Sequence, residues 1–305
     1  MRVLVTGAGG FVGAYLLQEL VSHRHEARAT DIRGRVDFHL DLLDADAVHR
    51  HFAQNRYDAV VHLAGFSSVA RSWERPKLAL ELNTFPLLHI LDAVSASSPH
   101  TRVLAVGSSD QYGAVPEGKV LLDESDPCFP KSPYAVAKYA QERLALSVAA
   151  GKKLDVVLTR SFNHIGPGQE TGFAVPDFAC AIARMIHGAP PVIRVGNTQA
   201  HRDFTDVRDV ARAYRLLIER GKSGEVYNVG SGRLYAIAYI LDTLIAQSGL
   251  CVRVQADEQK MRPADVQKVG CCNKKLRCDT GWSPQIPIED SLRAVLAYWK
   301  ARERS

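Results

Sequence analysis

The chain has 305 residues, 46% hydrophobic and 23% charged, enough to bury one large α/β core or two closely packed lobes. Its formal charge of +5 is small and dispersed, which suits anionic small ligands and argues against nucleic-acid binding. No apolar run approaches the roughly 18 residues of a membrane span, and residues 3–5 lead straight into Thr6-Gly7 without a signal-peptide layout, so a soluble cytoplasmic protein is expected.

In chain order, residues 2–6 read as a strand, 10–22 as a helix with Val12, Leu16 and Leu20 four apart, and 27–31 as a second strand. A third strand is expected to end at Asp41-Leu42, and a fourth at residues 59–63. Residues 78–97 read as a helix, 102–107 as a strand, 134–150 as a strong helix and 155–160 as a strand. This alternation predicts a doubly wound α/β fold of the Rossmann type, with a parallel sheet covered on both faces. The pattern breaks at Gly166-Pro167-Gly168. Residues 1–162 are therefore expected to form the dinucleotide domain, regaining about 206–230, with 163–305 mainly a smaller α/β substrate lobe.

Gly7, Gly10 and Gly13 follow the first strand at G-x-x-G-x-x-G spacing, with Phe11 and Val12 opening the helix. Such a loop turns tightly, brings backbone close to a pyrophosphate and aims a helix N-terminus at it, so a pyridine dinucleotide is expected. Asp31 closes the second strand, where an acid accepts the ribose hydroxyls and disfavours a 2′-phosphate. NADH is therefore preferred, although Arg33 offers NADPH a phosphate partner. Asp41 and Leu42 are candidates for the adenine, and Leu63, Ala64 and Gly65 for small residues passing under the cofactor.

Tyr134 and Lys138 lie four apart on one helix face, and Ser108 ends a strand at the sheet edge where ligands bind. They suit proton transfer: an ammonium beside a phenol lowers its pKa, and a serine hydroxyl orients the reacting oxygen. Cys128, Cys180, Cys251, Cys271, Cys272 and Cys278 contain no Cys-x-x-Cys pair and no histidine at zinc spacing, so reduced structural thiols and no metal site are expected.

With TGAGGFVG at 6–13, HLAG at 62–65, Asn83, SSDQYG at 108–113 and SPYAVAK at 132–138, the chain resembles the extended short-chain dehydrogenase/reductase family over nearly its whole length. The resemblance implies catalytic roles for Ser108, Tyr134 and Lys138, and a role for Asn83 in positioning the lysine and cofactor. It also implies a homodimer built on the Tyr134 helix and the 78–97 helix. RSFNHIGPGQ at 160–169, the stretch from 195 to 214, VYNVGSG at 226–232, RPADV at 262–266 and TGW at 280–282 look like the branch acting on GDP-linked 6-deoxy-D-mannose. By that likeness Asn163, Arg202, Arg262 and Asp265 contact the nucleotide-sugar, with Ser108 and Ser109 at its reacting end.

The branch contains a 4-keto reductase and a 4,6-dehydratase. Asp110 stands where dehydratases carry glutamate, one methylene shorter, and GFAVPDFACAI at 172–182 is similar to the reductases. NAD(P)H-dependent reduction of a GDP-linked 4-keto sugar is the expectation. A dehydratase, another nucleotide-sugar reductase or epimerase, and a non-catalytic cofactor sensor are the alternatives.

Overall fold

The computed structural model describes residues 1–113, 115, 118–257 and 268–304. Seven parallel strands form the main sheet: β1 (Arg2–Thr6), β2 (Glu26–Asp31), β3 (Phe38–His39), β4 (Ala59–His62), β5 (Arg102–Ser108), β7 (Val156–Ser161) and β11 (Val226–Val229); β6 (Leu121–Leu122) lies apart. Their order is β11-β7-β5-β4-β1-β2-β3. From β1 the chain runs outward to β2 and β3, then returns to β4 on the other side of β1. Ligands of doubly wound sheets bind above that switch point, at the carboxyl ends of the strands.

Both faces of the sheet are covered, which is why Val3, Leu4 and Val5 are all buried. On one face lie α1 (Phe11–Ser22) and α7 (Val207–Arg220), packed with Leu16, Leu20, Tyr214 and Leu217 against Val3, Val5 and Val61. On the other lie α2 (Ala45–Gln54), α4 (Pro76–Ser97) and α5 (Pro133–Lys152), burying Val48, Phe52, Ile90, Leu91 and Ala145 against Leu4, Val60 and Val103. A short helix, α3 (Val69–Glu74), precedes α4. Pro133 and the Ser132 hydroxyl, which accepts the Ala135 amide at 3.1 Å, start α5 as helix-capping chemistry predicts.

The smaller lobe holds a mixed sheet of β12 (Leu234–Ala236), β10 (His201–Asp206), β14 (Lys268–Cys271) and β6, with β8 (Asn163–Ile165) beside β10; β9 (Val192–Val195) pairs with β13 (Arg253–Ala256). Its own core joins α6 (Ala174–Ile186), α8 (Ile237–Ser248) and α10 (Ile288–Arg302) through Phe178, Ile182, Leu244, Leu292 and Trp299; α9 (Lys274–Thr280) packs near α7. Among the described residues, no helix is long and apolar enough to cross a membrane.

One expectation is corrected. Only two residues of β3 pair with β2, so the strand stops at His39 and does not reach Asp41-Leu42. Asp41 instead accepts the Leu43 amide at 2.9 Å, and Leu42 is buried in the α2–α4 core. Both therefore lie in the turn that follows the carboxyl end of β3 and not within the strand.

Candidate active site

The glycine loop is a cradle that side chains cannot occupy. Gly7 adopts φ +69°, and a Cβ there would stand 2.6 Å from the Ala64 nitrogen; at Gly13 it would stand 2.5 Å from the Ala8 carbonyl oxygen. The Gly10 amide closes the turn on the Gly7 carbonyl at 3.0 Å. Gly10 caps α1 with no side-chain hydrogen bond, and the first turn holds no acid, so its N–H groups and helix dipole suit an anion. A dinucleotide pyrophosphate fits this cradle.

Asp31, at the end of β2, accepts the Gly9 amide at 3.1 Å on one carboxylate oxygen and the Ile32 amide at 2.7 Å on the other. It therefore holds the glycine loop as well as facing the ligand edge. Arg33 and Arg35 are exposed in the turn that follows. Val12 packs into the core, while the Phe11 ring stacks on His164 with centroids 6.1 Å apart and planes 16° apart. His164 thus packs against the start of α1, where the glycine loop ends.

Behind the cradle, the Thr6 hydroxyl bonds the His62 ring nitrogen Nδ1 at 2.8 Å, tying the ends of β1 and β4. Burial first, and the Lys138 charge second, bring His62 down to about 3, so it stays neutral in any working range. Gly65 has φ +155°, and a Cβ there would stand 2.6 Å from the Asn83 Oδ1. Asn83 is fully buried and donates to the Phe66 carbonyl at 3.2 Å and the Ala79 carbonyl at 2.8 Å. Among the described residues its own Oδ1 has no hydrogen-bond partner and lies buried against Gly65.

Ser108 ends β5 and starts the short 3₁₀ turn Ser109–Gln111; its hydroxyl accepts the Asp110 amide at 3.2 Å. Burial pushes the Tyr134 phenol above the ordinary tyrosine range, the Asp110 carboxylate adds to the rise, and a hydrogen bond from Ser108 opposes it. Tyr134 and Ser108 are therefore brought together. The expected influence of the lysine on the phenol is not what this geometry shows. The Lys138 ammonium donates to the Val106 carbonyl at 2.9 Å and to Gln141 Oε1 at 3.0 Å, with its charge directed into the sheet edge.

Burial lowers Lys138 from 10.5 to about 8. Between those values the unfolded chain keeps a proton that the folded chain releases, so this group's contribution to stability grows as pH rises from about 8 toward 10.5. Below 8 the full penalty of a buried cation is present. Lys138→Met is accordingly expected to be inactive yet more resistant to denaturant at pH 7, by on the order of 1–3 kcal/mol. Urea titration checks this; a destabilised variant would contradict it.

On the smaller lobe, Asn163 donates to the Asp203 carbonyl at 3.2 Å and is exposed at the start of β8. Arg202 donates to the His201 carbonyl at 2.9 Å, and the neighbouring Asp206 is bonded by Arg208 at 2.7 Å. Ser109 is half-buried, and Asp110 is exposed. Arg262 and Asp265 lie outside the described residues. Two elements went unread in the sequence. Asp203, fully buried, accepts the Ser231 amide at 2.8 Å and the Gly232 amide at 2.7 Å, joining the lobe to the end of β11. Gln111, Glu142 and Arg160 form a buried cluster behind Ser108; only Arg160, a charge at the end of the apolar run 156–158, gave a hint in the sequence.

A parallel sheet with a glycine cradle at its switch point, and serine, tyrosine and lysine at the adjoining strand ends, defines an extended short-chain dehydrogenase/reductase. A family model for GDP-mannose 4,6 dehydratase matches residues 4–295. The GDP-6-deoxy-D-mannose reductase of Pseudomonas aeruginosa is 36% identical over 304 residues, 99% of this chain and 98% of that protein. The structure of RMD from Pseudomonas aeruginosa complexed with NADPH gives a TM-score of 0.90 at 34% identity, covering 99% of this chain and 100% of that one. UDP-glucose 4-epimerase of Thermus thermophilus, solved with NAD, gives 0.87 at 29% identity, covering 98% and 99%. The chain belongs to the GDP-mannose 4,6 dehydratase family of extended short-chain dehydrogenase/reductases, a family of NAD(P)-dependent nucleotide-sugar oxidoreductases.

Proposed function

We propose that this protein reduces the 4-keto group of GDP-4-dehydro-6-deoxy-D-mannose to GDP-D-rhamnose. The observation that carries this reading is the convergence of Ser108, at the end of β5, with Tyr134 and Lys138 on one face of α5, at the carboxyl edge of the sheet beside the glycine cradle. A bound NADH or NADPH supplies the hydride. Tyr134 donates its phenolic proton to the oxygen that becomes the product hydroxyl, and Ser108 hydrogen-bonds the same oxygen. A raised phenol pKa suits this direction, because a proton donor must still be protonated when the keto group is reduced. Lys138 and Asn83 hold the nicotinamide ribose side, and Gly7, Gly10 and Gly13 the pyrophosphate. Asn163, Arg202, Arg262 and Asp265 bind the nucleotide-sugar, with arginine suited to the diphosphate.

A second reading, the 4,6-dehydratase, is favoured by one observation: the Asp110 carboxylate lies close enough to Tyr134 to raise its pKa. Against it, this acid is one methylene shorter than the glutamate its position calls for, and misplacement by about an ångström lowers rates on the order of a hundredfold. Incubation with GDP-mannose, and separately with the keto sugar plus NADH, distinguishes the two. Oxidation of NADH only with the keto sugar is the expected result. Conversion of GDP-mannose without net cofactor use would overturn it in favour of the dehydratase, and inertness toward both would indicate a cofactor sensor.

Asp31 is the group proposed to favour NADH. Asp31→Ser is expected to raise the NADPH-to-NADH ratio of kcat/KM about tenfold, a change of roughly 1.4 kcal/mol. An unchanged ratio would remove Asp31 from cofactor choice. For assembly, Leu80 and Phe85 on α4 and Val136 and Leu144 on α5 are exposed apolar residues on adjacent helices, and we assign this face to a second copy of the chain. Sedimentation of Val136→Glu as a monomer, with the unsubstituted chain sedimenting as a dimer, is the expected outcome.

A further inference from the structure

We propose that Gln111, anchored by the Glu142–Arg160 ion pair, is the positioning residue that sets where the Ser108 hydroxyl stands relative to Tyr134. The inference rests on the proton-transfer role given to the Ser108–Tyr134 pair and adds residues that touch neither substrate nor cofactor.

Gln111 is fully buried at the end of the 3₁₀ turn. Its carboxamide oxygen accepts the Ser108 amide at 2.9 Å, and its amide nitrogen donates to Glu142 Oε2 at 2.7 Å. Glu142 is itself fixed on both oxygens by Arg160, with Arg160 Nε donating at 2.9 Å and Nη2 at 2.7 Å. The guanidinium lies over the Tyr112 ring, 4.7 Å from its centroid. Every group in the chain from Ser108 to Arg160 thus has a defined partner, and the charged members strengthen the bonds to the neutral amide.

The placement is directional. Tyr134, Lys138 and Glu142 follow one another at four-residue steps along α5 and share one face. Arg160 belongs to β7, the neighbour of β5, whose last residue is Ser108. The Glu142 carboxylate therefore joins the helix that carries the phenol to the turn that carries the serine, and Gln111 is the link. An independent feature agrees: a Cβ on Gly107 would stand 2.5 Å from Gln111 Oε1 and 2.3 Å from the Thr159 carbonyl. The strand is without a side chain where the Gln111 carboxamide lies. An apolar residue at 111 would fill the same volume and leave the Ser108 amide without its acceptor.

The test uses the full chain. Gln111→Met retains the Glu142–Arg160 pair and removes the link. It is expected to lower kcat for keto-sugar reduction about tenfold while KM for NADH and sugar stays within about twofold, because the loss is one of geometry at the reacting oxygen. In a Ser108→Ala background the same substitution should change kcat less than about twofold, since the hydroxyl it positions is gone. Hydrogen exchange at the Ser108 amide should accelerate in Gln111→Met. If Gln111→Met fails to fold, Gln111→Asn, too short for both bonds, carries the same measurements. Wild-type kcat in the single variant, or an equal loss in both backgrounds, overturns the proposal. If the unsubstituted protein reduces no keto sugar, the functional reading fails separately; Ser108 amide exchange as slow in the variant as in wild type would then overturn the positioning role by itself.

Discussion

Tyr134→Phe leaves the protein folded and able to take up NADH, and lowers the rate of keto-sugar reduction by about 10²- to 10⁴-fold, the usual contribution of a positioned general acid. The ring stays in place and only the proton donor is lost, so KM should move little while kcat falls. Burial and the Asp110 carboxylate keep the phenol protonated through neutral and mildly alkaline pH, so the acid side of the rate profile carries no limb from this residue. An alkaline limb is expected instead from Lys138, which loses its charge as pH rises through about 8. Steady-state rates between pH 6 and 10 report both features. Near wild-type turnover in Tyr134→Phe would remove the proton-donor assignment, and a profile flat to pH 10 would remove the lysine from catalysis.

Glu142→Leu is expected to lower the free energy of unfolding by about 3–5 kcal/mol, the largest stability change we foresee from a single polar residue. Arg160 is only 6% exposed, and loss of both carboxylate bonds leaves a buried guanidinium without its partner. The loss belongs mainly to the stranded charge. The double variant Glu142→Leu/Arg160→Met should therefore recover most of it, because a buried ion pair and a well-packed apolar pair of similar volume differ little in stability. Urea unfolding of the wild type, single and double variants measures both quantities. A single variant as stable as wild type would mean that Arg160 finds another partner, and a double variant as unstable as the single would place the loss in packing. Gln111→Met leaves this pair intact, so the catalytic and stability roles of the cluster separate in experiment.

The strand–helix alternation was legible from periodicity because a sheet covered on both faces needs continuous apolar runs such as Val3–Leu4–Val5, while its covering helices repeat near every fourth residue, as Leu16 and Leu20 do. The cradle was equally legible. A positive φ at Gly7, and contacts at Gly7 and Gly13 too close for any Cβ, can be met by no other residue type, so the chemistry is written in composition. Spacing placed Tyr134 and Lys138 on one helix face for the same reason: it is a local property of the backbone. The end of β3 was not legible, because strand length depends on how far the neighbouring strand runs alongside, and β2 ends at Asp31, the partner of His39.

By itself the sequence determined what is local here: the doubly wound order of elements, the glycine turn, and a phenol and an ammonium one helical turn apart. Only the tertiary structure decided where the ammonium points, because the carbonyl of Val106 that receives it comes from a strand some thirty residues away. It likewise decided that Gln111, Glu142 and Arg160, scattered over a turn, a helix and a strand, form one buried connection behind Ser108. Charge and hydrogen-bond partners are chosen by distance in space and by exclusion of water, and neither quantity is carried by spacing along a chain.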